Sequence, residues 1–321
     1  MFYDKEVKEE PDRLHRVLRL IYTSKAPTFS KADLERIGVT TGSFDLWDAA
    51  FLSNDSKCFF KPFSKEELHK WRIPAHVAGC SDIKKRLDLK EVDPNSSLAQ
   101  NPSSSEIRQG IRDVLAYLNT HFTFRSNGIV PLCGELGWSV IDPRMIGLQN
   151  THFLFSGHGT QEETHFLSWQ VWSMQVWREK NLAGVNFETG PSVRMIISTE
   201  AIGPCDRIVL HELGAIAECI SFRRRQQTSA TYPIVPVLLL SFFGRRNGRI
   251  IQACYDMKTG RIELLISPIL SFLNKDDPDF DIFLRFMASC PPESCSLDQS
   301  LSRMSISSPP TDIEPRSFQG I

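Results

Sequence analysis

The sequence predicts a mixed α/β (α+β) fold, in which a mainly antiparallel sheet of about four to six strands is covered by helices. Three observations lead to this prediction. Helical and strand periodicities follow one another along the second half of the chain. Turn-forming residues separate the strands closely enough for hairpins. Hydrophobic residues make up 41% of 321 residues, enough for a core that needs no disulfide or structural metal.

The N-terminal region, residues 1–92, is predicted to be helical, because two helix starts in it share the same capping chemistry. Ser30 and Ser64 each stand at an N-cap position, and Asp33 and Glu67 follow three residues later. A hydroxyl at the N-cap and a carboxylate at N3 satisfy two backbone N–H groups that a helix start leaves without partners. Residues 93–105 are almost free of apolar side chains and are predicted to form a linker.

Residues 106–289 are predicted to form the α/β core domain. Apolar residues recur at helical spacing from a cap near Ser103 to Leu118, and in the segments 161–181, 204–225 and 280–287. Strands are predicted at 121–125, 138–141, 152–155, 193–198, 237–243, 249–255 and 261–266. Asn247-Gly248 and 258–260 are the predicted turns between the last three strands. The order β-α-β-β-β-α from residue 193 predicts an antiparallel meander joined to one further strand.

The remaining segments of the sequence indicate where in the cell the protein is expected. After Cys290 the chain is rich in Ser and Pro without apolar periodicity, so residues 290–321 are predicted to be a disordered tail. The first residues mix acids and bases and do not resemble a secretory signal. The longest apolar run, 234–243, is about half a membrane span. The eight cysteines include no CxxC pair, which is typical of free thiols in a reducing compartment. We therefore expect a cytoplasmic protein without a membrane partner.

Charge and motifs exclude several function classes. The formal net charge is −1, whereas nucleic-acid-binding domains usually carry a cationic excess, so nucleic acid is not expected as a partner. The sequence contains no GxxxxGKS/T loop, no GxGxxG after a strand and no GxSxG nucleophile turn. Arg223 to Arg225 and the arginines at 245, 246 and 249 are predicted to be solvated groups about 23 Å apart at opposite ends of a strand.

The densest group of reactive side chains lies between His152 and His165. If a helix begins near residue 161, Glu162 and His165 share one face at the Glu-x-x-His spacing of carboxylate metal sites. Together with His158 they offer two imidazoles and one carboxylate, a set suited to Fe(II) or Mn(II). The alternative is that the acids belong to a first helical turn and that the histidines cap or pack. No cofactor is expected, and a divalent metal at His158, Glu162 and His165 is the alternative.

A second polar group lies on the helix predicted at 204–225. His211 and Glu218 are the candidate acid–base residues there, and the competing interpretation is that both are exposed to solvent. His211-Glu212 lacks the second histidine that a zinc-binding HExxH motif requires.

Two neighbouring segments, VPVLLLSFFG at 235–244 and GRIIQACYD at 248–256, resemble a block in uncharacterised proteins of filamentous fungi. The resemblance extends over residues 235–270 and implies no activity for any residue. Reading frames of this kind sometimes lie among secondary-metabolite genes, so the resemblance implies an accessory role in such a pathway.

These observations predict a non-catalytic binding or accessory protein of fungal type, with an unknown protein or small-molecule partner. The reason is that no acid, base and nucleophile converge in a chain rich in structural signals. The alternative is an enzyme that uses the His152–His165 cluster, with or without a metal.

Overall fold

The computed structural model describes residues 10–48, 52, 58–70, 73, 78, 84, 87–93, 102–123, 136–141, 154, 157–158, 168–180, 187–200, 207–226, 232–274 and 277–291. The helices within these ranges are α1 (Glu10–Thr23), α2 (Lys31–Arg36), α3 (Lys65–His69), α4 (Ser104–Thr123), α5 (Leu210–Gln226) and α6 (Pro278–Met287). The strands are β1 (Thr28–Phe29), β2 (Val39–Ser43), β3 (Trp138–Val140), β4 (Gly157–His158), β5 (Ser168–Lys180), β6 (Phe187–Thr199), β7 (Ile208–Val209), β8 (Ile234–Phe243), β9 (Asn247–Asp256), β10 (Ile262–Ile266) and β11 (Leu270–Ser271).

One large mixed sheet organises the molecule. Its strands follow the order β2-β10-β9-β8-β6-β5-β3, with β11 beside β9 and β4 beside β5. The pairs β2–β10 and β6–β8 are parallel, and the other pairs are antiparallel. The predicted mainly antiparallel sheet covered by helices is confirmed. It has nine strands among the described residues, more than the predicted four to six.

The sheet is buried on both faces, which gives three layers. Along β8, Val237 and Leu239 pack with α1 and α5, whereas Leu238 and Leu240 pack with α4 and α6. Helix α5 connects the parallel neighbours β6 and β8, which need a long crossover because a hairpin cannot join them. The predicted order of elements from residue 193 and the burial of the apolar run 237–243 are therefore confirmed.

One helix prediction was wrong, and the start of another was placed too early. The segment predicted as a helix at 161–181 contains β5, where Trp169 and Val176 are buried. The register of β5 against β6 shifts twice, between Val171 and Ser173 and between Val176 and Arg178. Each irregularity interrupts the alternation of buried and exposed side chains that is typical of a strand. The apolar residues of β5 therefore recur at a spacing that resembles that of a helix. Helix α5 begins at Leu210, after β7, and not at Pro204.

Two other predictions need correction. In the strand predicted at 121–125, residues 121–123 are the end of α4, which continues to Thr123 because Phe122 extends its buried stripe, and residues 124–125 lie outside the described residues. The turn between β8 and β9 is formed by residues 244–246, so Asn247-Gly248 belongs to β9. A Cβ on Gly248 would lie 2.9 Å from Cε2 of Phe272 and 3.0 Å from the carbonyl oxygen of Ser241, so close packing is the reason for this glycine.

The two helix starts predicted in the N-terminal region are confirmed. Ser30 and Ser64 form complete capping boxes with Asp33 and Glu67. The region predicted as helical also contributes β2, which lies at one edge of the sheet beside β10. No helix in the described part of the chain is long and apolar enough to cross a membrane.

Most of the predicted linker and tail lies outside the described residues, namely 94–101 and 292–321. The first tail residue belongs to the fold, because Cys290 and Lys61 exchange two backbone hydrogen bonds of 3.0 Å. The chain is therefore ordered at the point where the tail was predicted to begin.

Candidate functional site

The predicted metal site cannot be assembled from the described residues. His152, Glu162 and His165 lie outside them, and for His158 the description covers the backbone, which pairs with Ser168 in β5. Among the described residues, no group of three or more His, Cys, Asp or Glu side chains is placed to hold a metal ion. The metal site stays a prediction.

His211 lies in the interior, near the end of β6. Its side chain is 3% exposed, and its ring stacks on Trp169 with centroids 4.4 Å apart. The hydroxyl of Thr199 lies 3.3 Å from Nδ1 of the imidazole. The expectation that His211 is exposed to solvent was wrong, because β5 supplies an aromatic wall that the sequence interpretation had assigned to a helix.

Next to His211, Glu212 forms an ion pair with Arg249 that is 0% exposed at both side chains. Nε of Arg249 donates to Oε1 of Glu212 at 2.9 Å, and Nη1 donates to the carbonyl oxygen of Arg207 at 2.7 Å. The Val209 N–H donates to Oε2 of Glu212 at 2.9 Å, an N3 carboxylate bonding back to the start of α5. Glu212 thus ties the helix start to the sheet.

Glu218 is also buried, at 2% exposure. The Tyr22 hydroxyl of α1 and the Leu154 N–H, at 3.0 Å, both donate to its carboxylate. Glu218 and His211 are seven residues apart on α5, about 10 Å along the axis at 1.5 Å per residue. The contact of Glu218 with Tyr22 attaches α1 to α5.

Several arginines predicted to be solvated are buried. Arg223 is 3% exposed, and it donates to the carbonyl oxygen of Gly190 and, at 2.6 Å, to Oε1 of Gln226. Burial lowers the pKa of its guanidinium. Arg246 and Arg249 are likewise buried, so the prediction of solvated groups was wrong for these three arginines, whereas Arg225 is exposed as predicted.

Arg194, which the sequence did not single out, is 1% exposed on β6. Its guanidinium carbon lies 5.1 Å from the ring centroid of Phe122 and 4.7 Å from that of Trp138. Nε donates to Oε1 of Gln175 at 2.7 Å. The aromatic faces and the amide compensate for part of the lost hydration.

A different arrangement of arginines lies at the edge of the sheet, in an open cavity of about 520 Å³. Helix α1 contributes Arg13 and Arg16, which are neighbours at i and i+3. The end of α2 contributes Glu35 and Arg36, and Arg261 precedes β10. Gly38, Val39 and Thr40 complete the wall. We call this cavity the arginine pocket.

The fold brings these residues together by two simple devices. Gly38 has a φ of +83°, which lets the chain turn sharply from α2 into β2. Parallel pairing sets Val39 opposite Ile262, so Arg261 lies beside the start of β2. Nη1 of Arg13 donates to the carbonyl oxygen of Thr259 at 3.4 Å, which holds α1 against the β9–β10 turn.

The arginine pocket is strongly cationic although the whole chain carries a net charge of −1. Four guanidinium groups line it, against one lining carboxylate, Glu35. Arg36 also pairs with Asp33, which lies outside the lining. A hydrogen bond from the Ser30 hydroxyl, assisted by the Ser30 backbone and Arg36, lowers the pKa of Asp33 to about 2, so this carboxylate stays ionised near neutral pH.

The chemistry of the arginine pocket is that of anion recognition. A guanidinium offers up to five N–H donors in a planar fork that matches carboxylate and phosphate oxygens, and it has no acceptor. The sequence interpretation missed this pocket because its arginines are distant along the chain. The pair Arg13 and Arg16 on one helix face was the one local signal that could have indicated it.

Comparisons of the chain with protein-family models, with curated proteins and with solved structures gave no match.

Proposed function

We propose that this protein is a non-catalytic binding protein that holds an anionic group of its partner or ligand in the arginine pocket. The observation that carries the proposal is the convergence of four guanidinium groups from separate elements on one open cavity with one carboxylate in its wall. Phosphate and carboxylate groups are the chemistry that such a set of donors recognises.

Two features favour binding over catalysis. The lining side chains are mainly permanent donors, because a guanidinium stays protonated near neutral pH and does not act as a base. The candidates His211 and Glu218 are buried, and their contacts with Trp169, Tyr22 and Leu154 serve packing. An accessory role in a fungal pathway, as the resemblance implies, is compatible with a binding function of this kind.

The test is a calorimetric titration of the full chain with inorganic tripolyphosphate at low ionic strength. Arg261→Gln should weaken binding roughly tenfold, because a hydrogen bond to a charged group contributes about 1.5–3 kcal/mol and 1.4 kcal/mol is tenfold. The matched control is Arg19→Gln, which removes the same charge from an exposed position of α1 that does not line the pocket.

Added salt should weaken binding to the wild-type protein, because exposed charges are screened. Equal losses in the Arg261 and Arg19 variants would mean that the anion responds to overall charge and not to the arginine pocket. Absence of binding to the wild-type protein would overturn the proposal.

A further inference from the structure

The outer edge of β2 runs from the arginine pocket along the side of the sheet. Among the described residues, β2 pairs with β10 alone and ends the order of strands. The Phe44 N–H donates to the carbonyl oxygen of Ile266 at 3.3 Å, so Phe44 faces β10. Because successive residues of a strand point their backbone groups to opposite sides, the N–H and C=O groups of Val39, Thr41 and Ser43 point away from β10.

Within β2 itself, three of the devices that usually protect an edge strand are absent. Edge strands are commonly shielded by lysine, by proline or by a bulge that twists the strand away. The sequence of β2 is Val-Thr-Thr-Gly-Ser, and its register against β10 is continuous over five residues. Thr40 and Ser43 are exposed. An extended peptide could therefore continue the sheet here, with backbone hydrogen bonds supplying affinity.

The charge beside this edge specifies what kind of strand would fit. Val39 and Thr40 are the first residues of β2 and also line the arginine pocket. A strand added to β2 would bring its side chains within reach of Arg36 and Arg261. The β2 strand of a second copy carries no carboxylate, so pairing between two copies would leave the arginines without a counter-charge.

We infer that the ligand of the arginine pocket is an acidic, extended segment of a partner protein, which adds as a strand to the outer edge of β2. This inference rests on the proposed function and deepens it. Val39 is 1% exposed, so the backbone of the segment would bond to Thr41 and Ser43, and its carboxylates would bind the guanidinium groups at the start of β2.

The experiment measures fluorescence anisotropy of a labelled peptide of alternating valine and glutamate, added to the full chain. A second peptide has the same side chains but N-methyl groups on alternate backbone nitrogens, so its charge is unchanged and its edge donors are lost. We expect the methylated peptide to bind about tenfold more weakly. Thr41→Pro should have a similar effect, because it removes an outward N–H and leaves the ladder to β10 intact. Thr41→Val is the matched control.

The outcomes separate this inference from the proposed function. Tripolyphosphate binding together with equal affinity for both peptides would overturn strand addition and leave the anion-binding function in place. Failure of both tripolyphosphate and peptide to bind would overturn both proposals. The comparison of the two peptides decides the inference even where Thr41→Pro does not fold.

Two other occupants are tested in the same assay. Higher peptide affinity in the double variant Asp312→Asn, Glu314→Gln would show that an acidic segment of this chain competes for the edge, against the partner assignment. Tighter binding of a single-stranded oligonucleotide than of the acidic peptide would assign the arginine pocket to nucleic acid and overturn the inference.

Discussion

Arginine occupies two opposite environments in this protein, the interior of the sheet and the arginine pocket at its edge. In the interior, Arg249 bonds to Glu212 and to the Arg207 carbonyl, and it lies 5.4 Å from the ring centroid of Phe243. At the edge, Arg261 is exposed beside an open cavity. This difference shows that a buried guanidinium stabilises the fold through its contacts. Transfer of the charged group from water costs several kcal/mol unless nearby groups compensate for it.

The same distinction applies to the buried carboxylates, whose contacts join elements of the fold. Glu212 caps α5 and binds Arg249, and Glu218 accepts hydrogen bonds from Tyr22 and Leu154. These contacts hold α1, the start of α5 and the sheet together. At the edge, the exposed Arg261 lines an open cavity, so its function is expected to depend on a ligand.

The largest effect on stability is expected when one partner of the buried ion pair is removed. Arg249→Leu leaves the Glu212 carboxylate buried without its guanidinium, which should lower the free energy of unfolding by about 3–5 kcal/mol. Urea denaturation followed by circular dichroism measures this loss.

The control is the double variant Glu212→Leu, Arg249→Leu. It buries no charge, so its loss should be smaller than the sum of the two single losses. It should not recover fully, because the Val209 N–H loses its acceptor and the Arg207 carbonyl loses its donor. Additive losses would show that the two side chains stabilise the fold independently, contrary to the comparison.

A smaller effect is expected at the contact between α1 and α5. Tyr22→Phe removes a hydroxyl that donates to the buried Glu218 carboxylate, and this should cost about 1–3 kcal/mol. In a Glu218→Gln background the same substitution should lower the free energy of unfolding by less, because the carboxylate charge that accepts the hydrogen bond has been removed. Equal costs in both backgrounds, measured by urea denaturation, would mean that the hydrogen bond contributes little.

Local signals made the fold partly predictable. The pairs Ser30 with Asp33 and Ser64 with Glu67 act within one turn, so the sequence contained all the information needed for the capping boxes. The apolar run 237–243 predicted a central strand because burial on both faces requires it. The irregularities in β5 removed the alternation on which strand prediction depends, so that strand was mistaken for a helix.

The candidate site was much less predictable than the fold. His211 and Glu218 look exposed in sequence because polar residues usually are. Their burial depends on β5 and α1, which are remote in sequence. The arginine pocket depends on the parallel pairing of β2 with β10, a contact between the two ends of the chain that no local pattern indicates.

The smallest effect on stability is expected at the arginine pocket itself. Arg261→Gln and Arg36→Gln should each change the free energy of unfolding by less than about 0.5 kcal/mol, as is usual for exposed positions. The Arg36 side chain is 75% exposed in its pair with Asp33, and exposed pairs contribute little. Urea denaturation of both variants beside Arg249→Leu would then show the two environments of arginine in one experiment.

The pKa of Asp33 tests separately whether Arg36 contributes to the structure of α2. The Ser30 hydroxyl is the largest cause of its depression from 3.8 to about 2, and Arg36 has a smaller part. In Arg36→Gln the pKa should therefore remain below 3.8, as carboxyl chemical shifts followed against pH would report. Because the folded pKa is depressed, the stability that this group contributes is present above pH 3.8 and is lost as pH falls toward 2. If the pKa of Asp33 returned to 3.8 in this variant, Arg36 would be shown to stabilise α2 through Asp33. Arg36 would then be less available to a ligand than Arg261.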